Sequence, residues 1–166
     1  MKYITAEQYE QIKSIPRGRL TARFIVYAGA IIVRDNKILL CTPMKSKYPG
    51  WQLPGGKTLW NENIKDTVKR EILEETGLVV ELENILGIFQ RETTAEDEEY
   101  LRIIFSAKEI KKKKAIDPEI KETKWFDIQE ILDGKVPLQS QQMLKEIQRY
   151  SDNKNYPLDI LEMYIW

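Results

Sequence analysis

The sequence predicts an α/β layer fold with a mixed sheet, built as one domain. Two observations predict it. Short runs of β-branched and aromatic residues, bounded by turn residues, recur along the chain. Between them lie two segments with helical periodicity, one ending at a glycine placed to cap it. A length of 166 residues suits a single core.

Taken in order, "TAEQYEQIKSI" (5–15) reads as a short helix ended by Pro16 and Gly18, part of an N-terminal helical extension over about 1–20. "RFIVYAGAIIV" (23–33) reads as a strand, "RDNK" (34–37) as a turn, and "ILLCT" (38–42) as the second arm of a hairpin. A loop (43–50) leads to a short strand "WQL" (51–53), stopped by "PGG" (54–56). A helix runs from about Asn63 to Thr76, with Gly77 at its C-cap. "VVELENILGIFQRE" is strand material with a break near Glu83 and Asn84, and "YLRIIFSAKEI" (100–110) is the clearest later strand. After a lysine-rich loop, "TKWFDI" (123–128) is a last short strand. A C-terminal helical segment over about 137–166 has apolar positions at Leu138, Met143, Leu144 and Ile147. The apolar tail "YPLDILEMYIW" must pack on this domain or on a second subunit, so a homodimer stays open.

Composition narrows the chemistry. Twenty-six basic residues balance 26 acidic ones, which disfavours a non-specific nucleic-acid binder. No apolar run suits a signal peptide or a membrane span, so a cytoplasmic location and no membrane partner are the expectation. One cysteine, Cys41, excludes an internal disulfide, and its place at a strand end suits a small core residue. The chain has no histidine. Its acid-base and metal chemistry must therefore rest on carboxylates, lysine, tyrosine or cysteine.

The helix from Asn63 carries three carboxylates, Glu71, Glu74 and Glu75, in five positions. At roughly 100° per residue, with Ile64 at zero, Val68 lies at about 40° and Ile72 at about 80°, which sets the buried stripe. Glu75 falls at about 20° and Glu71 at about 340° on the same wheel, with Glu74 at the edge, about 280°. Arg70 and Asp66 fall on the far side, at about 240° and 200°. A solvated face with an Asp66–Arg70 pair accounts for those two but leaves Glu71 and Glu75 turned inward. Inward carboxylates are costly unless a cation offsets them. The wheel alone leaves both readings open. The neighbouring "LPGG" favours the second, because paired glycines let a backbone carbonyl approach closely. Carboxylates plus a carbonyl form a hard oxygen site, suited to Mg²⁺ or Mn²⁺ and to the phosphates those ions accompany.

The spacing completes a known pattern. Gly56, then Glu62 after five residues, then "REILEETGL" after seven, resembles the Nudix box over all 23 of its positions. "WQLPGG" before it and "PEIKETKWFDIQEI" after it are similar to Nudix surroundings, so the resemblance spans about residues 24–135. It implies an α/β/α sandwich with a mixed sheet and a loop-helix-loop that binds divalent cations. It also implies hydrolysis of a nucleoside diphosphate linked to another group. Carried over by residue, Glu71, Glu74 and Glu75 and the Gly55 carbonyl become metal ligands, with Glu62 a supporting one. Arg70 orients the glutamates, and one glutamate acts on the attacking water.

Outside the box, the resemblance makes Glu119 a candidate ligand or base, with Glu122 competing for the role. Lys45, Lys47 and Lys57 flank the site and are candidates for phosphate contact. Arg91 and Arg102 sit on strand segments and either face substrate or pair with an acid; Arg91 is taken as substrate-binding. "KKKK" (111–114) reads as solvated loop. Tyr48, Trp51 and Trp60 suit packing or base stacking. Thr94 stands where many ADP-ribose enzymes of this family have proline. The expectation is a metal-dependent pyrophosphohydrolase acting on a small nucleotide substrate by water attack at phosphorus. The alternatives are a non-catalytic nucleotide sensor, or an RNA 5′-end pyrophosphohydrolase, which the charge balance disfavours.

Overall fold

The computed structural model describes residues 24–90, 99–113 and 116–162. Six strands and three α-helices are found there: β1 (Phe24–Arg34), β2 (Lys37–Pro43), β3 (Gly55–Lys57), α1 (Ile64–Thr76), β4 (Leu78–Gln90), β5 (Glu99–Lys112), β6 (Ile120–Asp127), α2 (Ile128–Leu132) and α3 (Gln141–Ser151). One sheet runs in the order β4-β5-β1-β2-β6, with β3 also paired to β1. β1 and β5 are parallel and the other pairs antiparallel, so the sheet is mixed.

The β1–β2 hairpin follows from its turn. Asp35 and Asn36 both adopt positive φ, 49° and 58°, the geometry of a two-residue turn that suits strand twist. β1 lies inside the sheet, and Ala28, Ala30, Ile31 and Ile32 are wholly buried. Alternation along the strands separates two cores. Ile103 and Phe105 pack with Val68 and Ile72 of α1 on one face. Ile31 and Ile104 pack with Ile131 of α2 and Ile147 of α3 on the other. Helices cover both faces, which makes an α/β/α sandwich.

α1 begins and ends where its sequence directs. The Asn63 side chain accepts from the Lys65 N–H at 2.8 Å, and Gly77 closes the helix at φ 72°. The break expected near Glu83 and Asn84 is a register shift within a continuous β4.

Four expectations are corrected. "WQL" is not a strand but two single bridges, Gln52 with Cys41 and Trp51 with Leu138. "PGG" does not stop the chain; it opens β3, because Gly55 and Gly29 let β3 and β1 approach at a spacing a side chain at Gly55 would forbid. Lys111 and Lys112 extend β5 and are not loop. The C-terminal helix closes at Ser151. Beyond it Tyr156 bridges to Ile85, and Leu158 and Leu161 pack on the α1 core. The helix expected over 5–15 lies outside the described residues. Among the described residues, no helix is long and apolar enough to cross a membrane.

Candidate active site

α1 and the loop before it converge on β3. Glu75 is half-buried: the Gly55 N–H donates to its Oε2 at 2.8 Å, Gln52 Nε2 to its Oε1 at 3.4 Å, and the Cys41 thiol lies 3.6 Å from Oε2. Burial pushes the Glu75 carboxyl up to about 7, and the charges of Glu71 and Glu74 add to that. Burial also raises the Cys41 thiol, with the Glu75 charge beside it. The Gly55 carbonyl accepts from the Tyr27 hydroxyl, which is itself kept protonated by burial.

Glu71 turns onto the same loop. Its carboxyl lies over Gly56, in the space a Cβ there would fill. Burial raises this carboxyl too, against the opposing pull of Arg70. Glu74 stands at the more exposed edge.

Arg70 gathers these groups. Its Nε and Nη2 donate to the two Glu62 oxygens at 2.7 and 2.9 Å, and its Nη1 to Glu71 and Glu74 at 2.7 and 3.1 Å. Nη2 also reaches the Lys57 carbonyl at 3.2 Å. The helical wheel set Arg70 on the far side beside Asp66. Its long side chain reaches back to the glutamates instead, where three carboxylates outcompete one. Glu62 is held further by the Thr67 hydroxyl and the Leu59 N–H. Hydrogen bonding from Arg70 brings the Glu62 carboxyl down to about 2, and Glu62 in turn keeps the guanidinium charged.

The other expected residues are scattered. Glu119 is exposed in the turn before β6, its N–H bonded to Asp117 and its carbonyl to the Met44 N–H. That turn is hung from α1 through the Asp117 N–H and the Glu74 carbonyl. Lys45 is exposed in the 43–50 loop. Lys57 ends β3 and lines a cavity of about 450 Å³ next to Gln52 and Tyr27. Arg91 lies outside the described residues.

Sequence reasoning did not assign Tyr27, Gln52 or Glu146, and left Arg102 undecided. Arg102 lines the cavity and donates to Glu146 Oε1 at 2.8 Å. A signal for Glu146 was present: it falls between Met143 and Ile147 on the buried stripe of α3. Tyr27 and Gln52 carried no local signal, since their partners come from distant segments.

The donor set suits a divalent cation in chemistry. Glu71, Glu74, Glu75 and the Gly55 carbonyl offer only hard oxygens, two of them on half-buried carboxyls whose charge a cation would relieve. Among the described residues, no three acidic or thiol groups close on one point, and Arg70 supplies the positive charge between Glu71 and Glu74.

Comparisons with known proteins agree on the family. The model for the NUDIX domain matches residues 23–147. An ADP-ribose pyrophosphatase of Methanocaldococcus jannaschii is 27% identical over 141 residues, 84% of this chain and 82% of its own. An 8-oxo-dGTP diphosphatase of Buchnera aphidicola is 44% identical over 52 residues, 30% of this chain and 40% of its own. The solved structure of a NUDIX hydrolase from Nitrosomonas europaea superposes with a TM-score of 0.75 at 30% identity, covering 86% of this chain and 98% of that one. With a family model spanning most of its length and an intact box on α1 and the preceding loop, the chain belongs to the Nudix hydrolases, enzymes that act on pyrophosphate bonds.

Proposed function

We propose that the enzyme cleaves a phosphoanhydride bond in a nucleoside diphosphate derivative, with Mg²⁺ or Mn²⁺, by attack of water at phosphorus. The observation that carries this reading is the turn of Glu71 and Glu75 onto the Gly55–Gly56 backbone, beside a cavity of about 450 Å³. That volume suits a small-molecule ligand.

Glu71, Glu74, Glu75 and the Gly55 carbonyl are the groups that would hold the cation. A divalent ion there offsets phosphate charge and acidifies water. Arg70 holds Glu62, Glu71 and Glu74 together beside the loop. Both Glu62 oxygens are committed to Arg70, Thr67 and Leu59, which gives Glu62 a supporting role through Arg70. Lys57 ends β3, lines the cavity and is the candidate for contact with a phosphate oxygen. One of the glutamates takes the proton of the attacking water, and Glu119 is the candidate outside the helix.

The test is a panel of nucleoside triphosphates, nucleotide sugars and dinucleotides with Mg²⁺ or Mn²⁺, run in ¹⁸O-labelled water. Turnover with one label in a single phosphate product is expected. Absence of turnover across the panel would favour a sensor that binds nucleotide without cleaving it.

A further inference from the structure

Gly55 is held from both faces of the sheet. Ala28 and Ala30 of β1 pack with α1, so alternation turns Tyr27 to the opposite face, the one that α3 covers. From the α1 side, Glu75 Oε2 accepts the Gly55 N–H at 2.8 Å. From the α3 side, the Tyr27 hydroxyl donates to the Gly55 carbonyl. Gly55 depends on these two bonds. It sits at φ 151°, and a Cβ on it would collide with Gly29, so no side chain can anchor it. The peptide that carries its carbonyl joins two glycines, Gly55 and Gly56, and neither has a Cβ to restrict the torsions.

Tyr27 is itself fixed by a second pair. In the parallel register of β1 and β5 it stands opposite Arg102, whose Cζ lies 4.5 Å over the Tyr27 ring. Arg102 is tied in turn to α3, its Nε donating to Glu146 Oε1 at 2.8 Å, and Glu146 is wholly buried. Among the described residues, Arg102 Nη2 and Glu146 Oε2 are buried without a hydrogen-bond partner. An ion pair buried with atoms unsatisfied adds little net stability, and apolar side chains of like volume would serve the fold as well. What the pair supplies is a fixed place for the Tyr27 ring.

A carbonyl oxygen has two lone pairs, so the Tyr27 hydroxyl takes one and leaves the other. We propose that Tyr27 is a positioning residue of the metal site: its hydroxyl, held in place by the Arg102–Glu146 pair, aims the Gly55 carbonyl so that the second lone pair meets the cation. The inference rests on the reading of that carbonyl as a ligand and deepens it. Tyr27, Arg102 and Glu146 all lie outside the box, on β1, β5 and α3.

The experiment reads the carbonyl directly. Gly55–Gly56 is the only glycine pair in the sequence. Protein labelled with glycine carrying ¹³C at the carbonyl and ¹⁵N therefore gives one carbonyl–amide correlation by NMR, which reports Gly55 alone. In the parent, Mg²⁺ should move this resonance. Tyr27→Phe keeps the ring under Arg102 and removes the hydroxyl. Its metal-free resonance should lie upfield of the parent's, and Mg²⁺ should bind about fivefold or more weakly. In turnover of the best substrate of the nucleotide panel, the Mg²⁺ concentration for half-activation should rise by the same factor, with KM for the nucleotide unchanged at saturating Mg²⁺. Arg102→Met with Glu146→Leu removes both charges together, so that neither is left buried alone, and should weaken Mg²⁺ binding in the same direction. Added to Tyr27→Phe, it should cost nothing further, because the pair acts through the hydroxyl. Parental Mg²⁺ affinity in Tyr27→Phe overturns the inference. A further loss when the pair is removed from Tyr27→Phe overturns the role of Arg102 and Glu146. A parent resonance that ignores Mg²⁺, in an enzyme that Mg²⁺ activates, defeats this inference and leaves the proposed activity standing. A Mg²⁺-dependent shift lost in Tyr27→Phe, without hydrolysis of any nucleotide, does the reverse.

Discussion

The Glu71 carboxyl rests on Gly56, filling the space that a side chain at that position would occupy. Gly56 is paired to Ala28 in the sheet and cannot retreat. The two residues therefore exclude any larger neighbour, and the glycine is needed because of the glutamate.

Replacing Gly56 by Ala should displace the Glu71 carboxylate. The obstructed group is the end of a side chain, so the fold should survive with a loss of about 1 kcal/mol or less. Turnover should fall at least tenfold. Urea unfolding alongside kcat separates the two effects. Unchanged turnover would mean that Glu71 is not needed where it lies.

Glu75→Gln keeps the shape of the side chain and an oxygen for the Gly55 N–H, and removes its charge. Burial and the charges of Glu71 and Glu74 oppose ionisation of Glu75, so the metal-free variant should melt no lower than the parent. Its turnover should drop by two or more orders of magnitude at saturating Mg²⁺. Near-normal turnover would remove Glu75 from the chemistry.

Glu62 and Arg70 predict an acid-side stability effect. Arg70 holds the folded-state Glu62 carboxyl at about 2, below its value of 4.5 in an open chain. The unfolded chain therefore binds more protons across that window, and stability falls as pH drops from about 4.5 toward 2. Arg70→Met should flatten this part of the thermal-melting curve against pH. A variant with the same slope as the parent would show that the pair contributes nothing there. Above pH 5 the pair's contribution should be constant.

Mg²⁺ or Mn²⁺ at millimolar concentration should raise the melting temperature, because an ion that binds only the folded state stabilises it by mass action. Chelation should reverse the shift, and Glu71→Ala should shrink it. A melting temperature indifferent to both ions would argue against the carboxylates as ligands in the absence of nucleotide.

Much of this was legible in the sequence because it is local. Helical period together with the neighbouring "LPGG" turns Glu71 and Glu75 toward the loop, and Gly77 and Asn63 mark the ends of α1 within one turn. The β1–β2 hairpin is written in two turn residues. The break seen at Glu83 was legible only as an irregularity, since a bulge is defined by the partner strand. "PGG" misled for a related reason: proline and glycine punctuate isolated chain, yet Gly55 is what lets β3 close onto β1.

By itself the sequence determined the box, its spacing and the exclusion of histidine chemistry from a chain without histidine. Tertiary structure alone decided which partners those groups meet. It set the Tyr27 hydroxyl on the Gly55 carbonyl, the Gln52 amide on Glu75, and Arg102 against Glu146, pairs separated by 28, 23 and 44 residues. It also placed β5 parallel to β1, which brings Arg102 beside Tyr27. The physical reason is range. Helix period, caps and turns are settled by residues a few positions apart, whereas these contacts depend on strand order and register, which emerge only when the whole sheet has assembled.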